Sequence, residues 1–597
     1  MKPNSSVGNP LGSEATGSID CAEHLARTPS SRADLFACLI IIGAATVVML
    51  PIFVHGFASG DDAFVHYRWA TEFHEALRER GVFYPRWLSS ANNGQGSPVM
   101  LYCPPLPFFV VEAFNLLVRD TLLALALGCW VGMVGSGLAM YVLARSLLSP
   151  WPSLLAALLY IIAPYHIFVL YQRSALSEYW TFVWLPLVLN AIQRIAKGGG
   201  WRATVYLAVS YAMLVFSHLV TAFAVTLILP IFILVMTRDT RRLVKVAAGL
   251  VLGLGVSGIF ITPVLLERDY ARIHRAVRLR YTNYFQFEDL INASRVRLFA
   301  REQARVYLAE WINVVALCVL LLFVVSVLVI WIRRRSDSKP ALGSRTVTAT
   351  MAITGLSLLL TTRLSLPIWE AIPQLAYMQF PFRWLVISTT GACSLAGIAA
   401  SILIPKFRLR FLYSALLMGA VLFSLAISTL ALARASYDRQ QLEQGLSAPE
   451  VPEYRTAWWD KELHLQDEFP SIAVSTGDAT AQVLDDRGIN QHYAVDALAE
   501  SVLKLRQLYF PGWVARVDGK QTETTPGEDG HIQLTVPPGR HTLTLRFEDT
   551  RPRAAGKLIS SASLLISVVV FVISSGVFRR KSSNLTDSSD EHQNGAQ

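Results

Sequence analysis

The chain is a succession of apolar runs, each near the length a bilayer demands. A helix needs about 20 such residues to cross the hydrocarbon layer. The runs fall at 35–57, 121–143, 152–168, 179–195, 203–219, 221–237, 243–263, 311–332, 346–361, 384–404, 411–433 and 557–577. Of the 597 residues, 53% are hydrophobic and only 16% charged, against about 25% charged in soluble domains. These facts predict a polytopic α-helical membrane protein with about twelve transmembrane helices and exclude a single soluble core. The six cysteines, at 21, 38, 103, 129, 318 and 393, are too scattered for a metal clip or a disulfide framework.

Orientation follows from the basic residues. Arg145, Arg194, Lys197, Arg238 to Lys245, Arg333 to Arg335, Lys406 to Arg410 and Arg579 to Lys581 all fall on one side. Cytoplasmic loops carry such an excess, so the net charge of +10 does not point to nucleic acid as a partner. An even number of spans puts both termini in the cytoplasm. Residues 1–34 and 582–597 are polar and read as disordered tails. The transmembrane domain is then 35–433, with a first outer loop at 58–120, and the final helix is 556–581. In that loop Pro105 to Leu117 is too short to span and reads as a juxtamembrane helix. Residues 434–555 form the one extracytoplasmic domain. Alternation at Ile532–Val536 and His541–Phe547 and the Asp518-Gly519 turn predict a small β-sandwich.

Two adjacent carboxylates, Asp61 and Asp62, follow the first span at once. Ionised groups at a membrane boundary need water, a metal or a cationic partner. A helix cap uses one Asp; two in a row before His66 and Arg68 suggest a site. Other polar groups fall at outer span ends: Arg86, Arg173, Glu178, His218, Glu267 and Arg383. Outer arginines run against the positive-inside tendency, and a phosphate at the lipid boundary would explain them. Pairing with Asp61, Asp62, Glu178 and Glu267 is the bland alternative. Loop 264–310 is strongly basic, with aromatic residues interleaved, and suits anionic membrane lipid headgroups or a lipid-linked phosphate; a solvated amphipathic helix on the membrane is the bland alternative.

The order of several short motifs resembles a known family. Asp61-Asp62, Tyr84-Pro85-Arg86-Trp87, Gly94 to Pro98 and Tyr102 to Leu106 stand in the first loop. Tyr165 to Trp184, Phe216 to His218, Thr262-Pro263, Gln379 to Trp384 and Tyr509 to Trp513 follow. Together they resemble the bacterial membrane proteins called 6-pyruvoyl-tetrahydropterin synthase-related, and the last is also similar to YfhO-like proteins. A pterin synthase itself is a soluble zinc enzyme with a His-x-His ligand pair, which this chain lacks. What the resemblance implies is the GT-C fold of membrane glycosyltransferases, in the bacterial inner membrane. These take sugar from a polyprenyl-phosphate donor and pass it to an extracytoplasmic acceptor: cell-envelope glycan, lipid or protein. Asp61 or Asp62 would then be the catalytic carboxylate. His66, Arg68, Arg86, Arg173, Glu178, His218, Glu267 and Arg383 would bind substrate, an arginine holding the lipid phosphate. A divalent cation, Mg or Mn, on Asp61 and Asp62 is the alternative to arginine. A non-enzymatic protein handling lipid or glycan, a flippase or an assembly partner, is the competing reading.

Overall fold

In a computed structural model, the structure describes residues 31–57, 60–78, 82–273, 285–286, 304–336, 344–403, 439–444, 451–459 and 469–575. The expected span 411–433, most of the basic loop and nearly all of both tails lie outside these. The protein is a helical membrane protein with a C-terminal β-sheet domain. Helices occupy eleven of the twelve expected positions. The spans countable by length and composition are those among the described residues. Seven helices are long and apolar enough to cross a membrane, eight if the bent pair Thr240–Val256 and Gly258–Leu266 is one span. Two others, Trp201–Ser217 and Ser344–Leu360, have 17 residues each, about 25 Å at the helical rise. Leu176–Ala196 is long enough but carries Glu178, Asn190 and Gln193, all buried inside the protein.

Two breaks in helices shape the molecule. After Ile161 the chain kinks at Pro164, which cannot continue an i→i−4 ladder, and ends in a π-turn at Phe168–Gln172. The second break, at Ser257, bends the helix by 73°. Its freed backbone groups are satisfied from the final helix, Arg551–Ser574. The Ser560 hydroxyl accepts from the Ile259 N–H at 2.7 Å and donates to the Val256 carbonyl at 2.7 Å. The two helices approach closely here: a Cβ on Gly556 would stand 2.6 Å from the Gly258 carbonyl oxygen. Small residues at a crossing permit this.

The first loop folds into a helix at Ala63–Arg78 and a short apolar one at Leu106–Val118. Nine strands follow the bundle: β1 (Ile472–Thr476), β2 (Ala479–Asp485), β3 (Asn490–Ala497), β4 (Ser501–Leu508), β5 (Trp513–Val517), β6 (Lys520–Thr522), β7 (Thr525–Pro526), β8 (His531–Val536) and β9 (Gly539–Phe547). They make two antiparallel sheets, ordered β1-β4-β8-β7 and β2-β3-β9-β5-β6. Each has a buried face, Leu503, Leu505, Leu534 and Val536 on one, Tyr493, Val495, Leu543 and Leu545 on the other. Asp518 and Gly519 turn the β5–β6 hairpin with positive φ at both positions, as a two-residue hairpin loop requires.

The first loop grips this domain. The Trp87 ring packs against Phe510, Trp513 and Phe547, and its Nε1 donates to Gln507 at 2.8 Å. Gln507 in turn donates to the Gly94 carbonyl at 2.7 Å, and the Leu508 N–H to that of Gln95 at 2.8 Å. Gly96 is required twice over: its φ is +86°, and a Cβ there would overlap the Trp87 ring.

Candidate active site

The Asp61-Asp62 pair is positioned by backbone pairing with the end of the π-turn. The Asp61 N–H donates to the Gln172 carbonyl at 3.3 Å, and the Asp62 N–H to that of Arg173 at 2.9 Å. Only glycine fits at position 60, where a Cβ would lie 2.7 Å from the Arg173 carbonyl carbon and overlap the Ser174 hydroxyl. Ser174 itself holds a φ of +50°, uncommon for a residue with a Cβ.

This pairing sets Asp62 beside Arg173, Oδ2 to Nη2 at 3.4 Å. The other end of the guanidinium binds Glu178 Oε2. Glu178 accepts from the Tyr165 hydroxyl as well, and Arg383 Nε stands 3.6 Å from the same Oε2. Arg383 Nη1 donates to the Met378 carbonyl at 2.9 Å and to Gln379 Oε1 at 2.7 Å. Aromatic faces support both guanidinium groups. Arg173 lies 5.4 Å from the Phe382 centroid and Arg383 5.1 Å from that of Phe380, and the two rings stack at 5.0 Å. Such contacts favour arginine over lysine.

Exposure falls steeply across the group. Asp61 is exposed, the Asp62 side chain is 42% exposed, and Glu178 is 1% exposed. Partial burial holds the Asp61 carboxyl above the ordinary carboxylate value, against the pull of Arg173. One turn further on, His66 packs its ring on Trp69 and Phe108. Its Nδ1 has no hydrogen-bond partner, and burial pushes its pKa down to about 4, so the ring is neutral. His218 caps the helix Leu219–Met236 by accepting the Thr221 N–H on Nδ1 at 3.3 Å. In the neutral ring the proton therefore sits on Nε2. His218 lies close enough to Arg383, Glu178 and Arg173 to feel their charges.

Asp61, Asp62, His66, Arg173, Glu178, His218 and Arg383 thus form one group. The remaining sequence candidates are engaged elsewhere. Arg68 pairs with Glu72 on its own helix at 3.9 Å. Arg86 binds Asp549 at 2.6 Å and the Ile259 carbonyl at 3.3 Å. Glu267 binds Arg553 at 2.9 Å and the Thr550 hydroxyl. Arg86 and Glu267 therefore belong to a junction between the bundle and the β-sheet domain. Tyr165 and the Phe380–Phe382 platform are members of the site that residue types alone did not assign. Their only signal was position, beside the Pro164 break and beside Arg383.

Among the described residues, no group of three or more His, Cys, Asp or Glu is arranged to hold a metal. Asp62, one of the two carboxylates offered for a cation, already faces Arg173. The cationic groups at hand beside Asp62 and Glu178 are guanidinium groups.

The model of a family described as the 6-pyruvoyl-tetrahydropterin synthase related domain, a membrane protein, matches residues 100–436. No curated protein matches the sequence. Among solved structures, the apo oligosaccharyltransferase of Archaeoglobus fulgidus is similar, with 13% identity over 71% of this chain and 57% of that chain and a TM-score of 0.41. The arabinofuranosyltransferase AftD from Mycobacteria is similar with 13% identity, 65% of this chain, 27% of that chain and a TM-score of 0.42. The same archaeal oligosaccharyltransferase, in complex with an inhibitory peptide and a dolichol-phosphate, gives 15% identity, 71% and 57% coverage and a TM-score of 0.36. This chain therefore spans a little over half of the first structure's length and about a quarter of the second's.

Proposed function

The chain belongs to the 6-pyruvoyl-tetrahydropterin synthase-related family of membrane proteins, and from its site we propose that it is a membrane glycosyltransferase of the GT-C type. The donor is a sugar on a polyprenyl phosphate and the acceptor a hydroxyl of envelope glycan, lipid or protein. The reaction takes place on the extracytoplasmic face of a bacterial inner membrane, with both termini cytoplasmic. About twelve spans and face-to-face packing of the two β-sheets are part of this reading.

One observation carries it: a water-facing carboxylate pair abuts two buried arginines, one of which, Arg383, has an Nε without a hydrogen-bond acceptor. Asp62 is held by Arg173, which leaves Asp61 at the rim as the base. Its raised pKa improves a carboxylate as a proton acceptor near neutral pH. Asp61 takes the acceptor's proton as the acceptor oxygen attacks the anomeric carbon. The bond from that carbon to the phosphate oxygen breaks, and its electron pair leaves with the polyprenyl phosphate. Arg383, whose Nε lacks a hydrogen-bond acceptor, offers a donor to the developing phosphate charge. Tyr165 and Glu178 are positioning residues: the Tyr165 hydroxyl holds Glu178, and Glu178 holds Arg173.

The test is mass spectrometry of lipid copurified with the protein, together with sugar transfer in membranes supplied with polyprenyl-phosphate sugars. We expect a polyprenyl-phosphate species on the wild-type chain and on Asp61→Asn, with transfer lost in the latter. Full transfer by folded Asp61→Asn and Asp62→Asn would discard the enzyme and leave a lipid-handling protein.

A further inference from the structure

A second basic site lies at the opposite end of the bundle. The helix Leu219–Met236 starts beside His218 in the site just described. It runs for 18 residues, about 27 Å at the helical rise, which is close to the thickness of the hydrocarbon layer. Arg238 follows its last turn, in the other headgroup layer. Arg345, in the first turn of the helix Ser344–Leu360, comes beside it. The two helices enclose a cleft of about 430 Å³ lined by Leu234, Val235, Arg238 and Arg345.

Both arginines are exposed, and among the described residues neither has an ion-pair partner. The nearest carboxylate in sequence, Asp239, is committed. It caps the next helix by accepting the Arg241 and Arg242 N–H groups and faces Arg242 at 3.6 Å. Above the arginines, Leu227, Ile231 and Leu234 are exposed at 41%, 36% and 55%. Their spacing of four and three places them along one helix face. The surface therefore presents two guanidinium groups that are unpaired among the described residues, with an exposed apolar stripe leading from them along the helix Leu219–Met236.

We propose that this cleft binds an anionic glycerophospholipid, the phosphate on Arg238 and Arg345 and an acyl chain along Leu227, Ile231 and Leu234. Guanidinium groups suit phosphate oxygens, and basic pockets between transmembrane helices bind anionic headgroups. The inference does not depend on the sugar-transfer reading, because the two sites lie at opposite ends of the bundle.

The experiment is a lipid titration of the full chain in neutral detergent, read by native mass spectrometry and thermal unfolding. The probes are phosphatidylglycerol, phosphatidylcholine and inorganic phosphate. Phosphatidylglycerol should bind and raise the unfolding temperature more than phosphatidylcholine. Arg238→Gln and Arg345→Gln should each weaken it roughly fivefold, while Arg202→Gln, also exposed, changes nothing. Raising salt should weaken the wild-type interaction as well, a check that needs no variant. Unchanged phosphatidylglycerol affinity in the double variant would overturn the proposal, as would equal stabilisation by phosphatidylcholine. Stabilisation by inorganic phosphate alone, equal to that by the lipid, would reassign the cleft to a soluble anion and overturn the lipid.

Discussion

Glu178 and Glu267 make an instructive pair. Each is a glutamate with a side chain 1% exposed, each binds an arginine, and each accepts a neighbouring hydroxyl, Tyr165 in one case and Thr550 in the other. Their surroundings differ. Around Glu267 the bonding is closed. Arg553 spends its remaining nitrogens on the Glu548 and Pro511 carbonyls, at 3.3 and 2.7 Å, and is fully buried between Phe510 and Phe547. Around Glu178 it is open. Arg173 reaches on to the half-exposed Asp62, and the Nε of a second arginine, Arg383, stands 3.6 Å from Glu178 without a hydrogen-bond acceptor. Buried charge with every bond made is architecture. Buried charge that leads outward to water, with bonds still to make, can receive a ligand.

Substitutions can break that contrast. The largest effect is expected at the open cluster: Asp61→Asn should lower transfer by about 10²–10⁴-fold while the unfolding temperature stays near wild type. Loss of stability instead would make Asp61 architectural too. Next comes the closed cluster. Arg553→Met leaves Glu267 buried without its cation, at a cost of about 3–5 kcal/mol measured by denaturation in detergent. If this variant keeps its stability, the junction is not closed in the sense argued.

The acid limb of stability sharpens the picture. His66 has a folded pKa of about 4 against an ordinary 6.5, so the unfolded chain binds the extra proton first. Stability is complete above pH 6.5 and declines as pH falls from 6.5 toward 4, by roughly 3 kcal/mol in all. His66→Leu should flatten that window in a pH series of unfolding midpoints; an unchanged slope would assign it to other groups. The smallest effect is expected for Arg383→Ala, which removes a charge-assisted contact to phosphate. Retention of polyprenyl phosphate should fall by the equivalent of about 1.5–3 kcal/mol, measured by the mass of copurified lipid.

The open cluster was largely legible in the sequence because its members sit at helix ends, where an ionisable residue stands out against apolar surroundings. Asp61, Asp62, Arg173, Glu178, His218 and Arg383 all carried that mark. The same rule drew in Arg86 and Glu267, which bind partners outside that cluster. Their partners, Asp549 and Arg553, lie 463 and 286 residues further on, and no local pattern reports so distant a pairing. The bundle was legible for a similar reason, since apolar length is a local quantity. Apolar length alone marks a helix such as Leu176–Ala196 less clearly, because buried polar residues such as Asn190 and Gln193 reduce its apolarity without removing it from the core. The role of Trp87 and Gly96 was not legible, since these acquire meaning only once the β-sheet domain is docked.

The hydroxyl of Ser560 has a consequence for the order in which the protein is made. The helix that bends at Ser257 is synthesised some three hundred residues before the helix that satisfies its break. Until Ser560 and Arg553 arrive, the Ile259 N–H lacks its acceptor and Glu267 lacks its cation. A nascent chain is therefore held in an unfinished state while those some three hundred residues are made. The helix Arg551–Ser574 acts as a keystone, and its arrival becomes a condition for locking the parts already inserted.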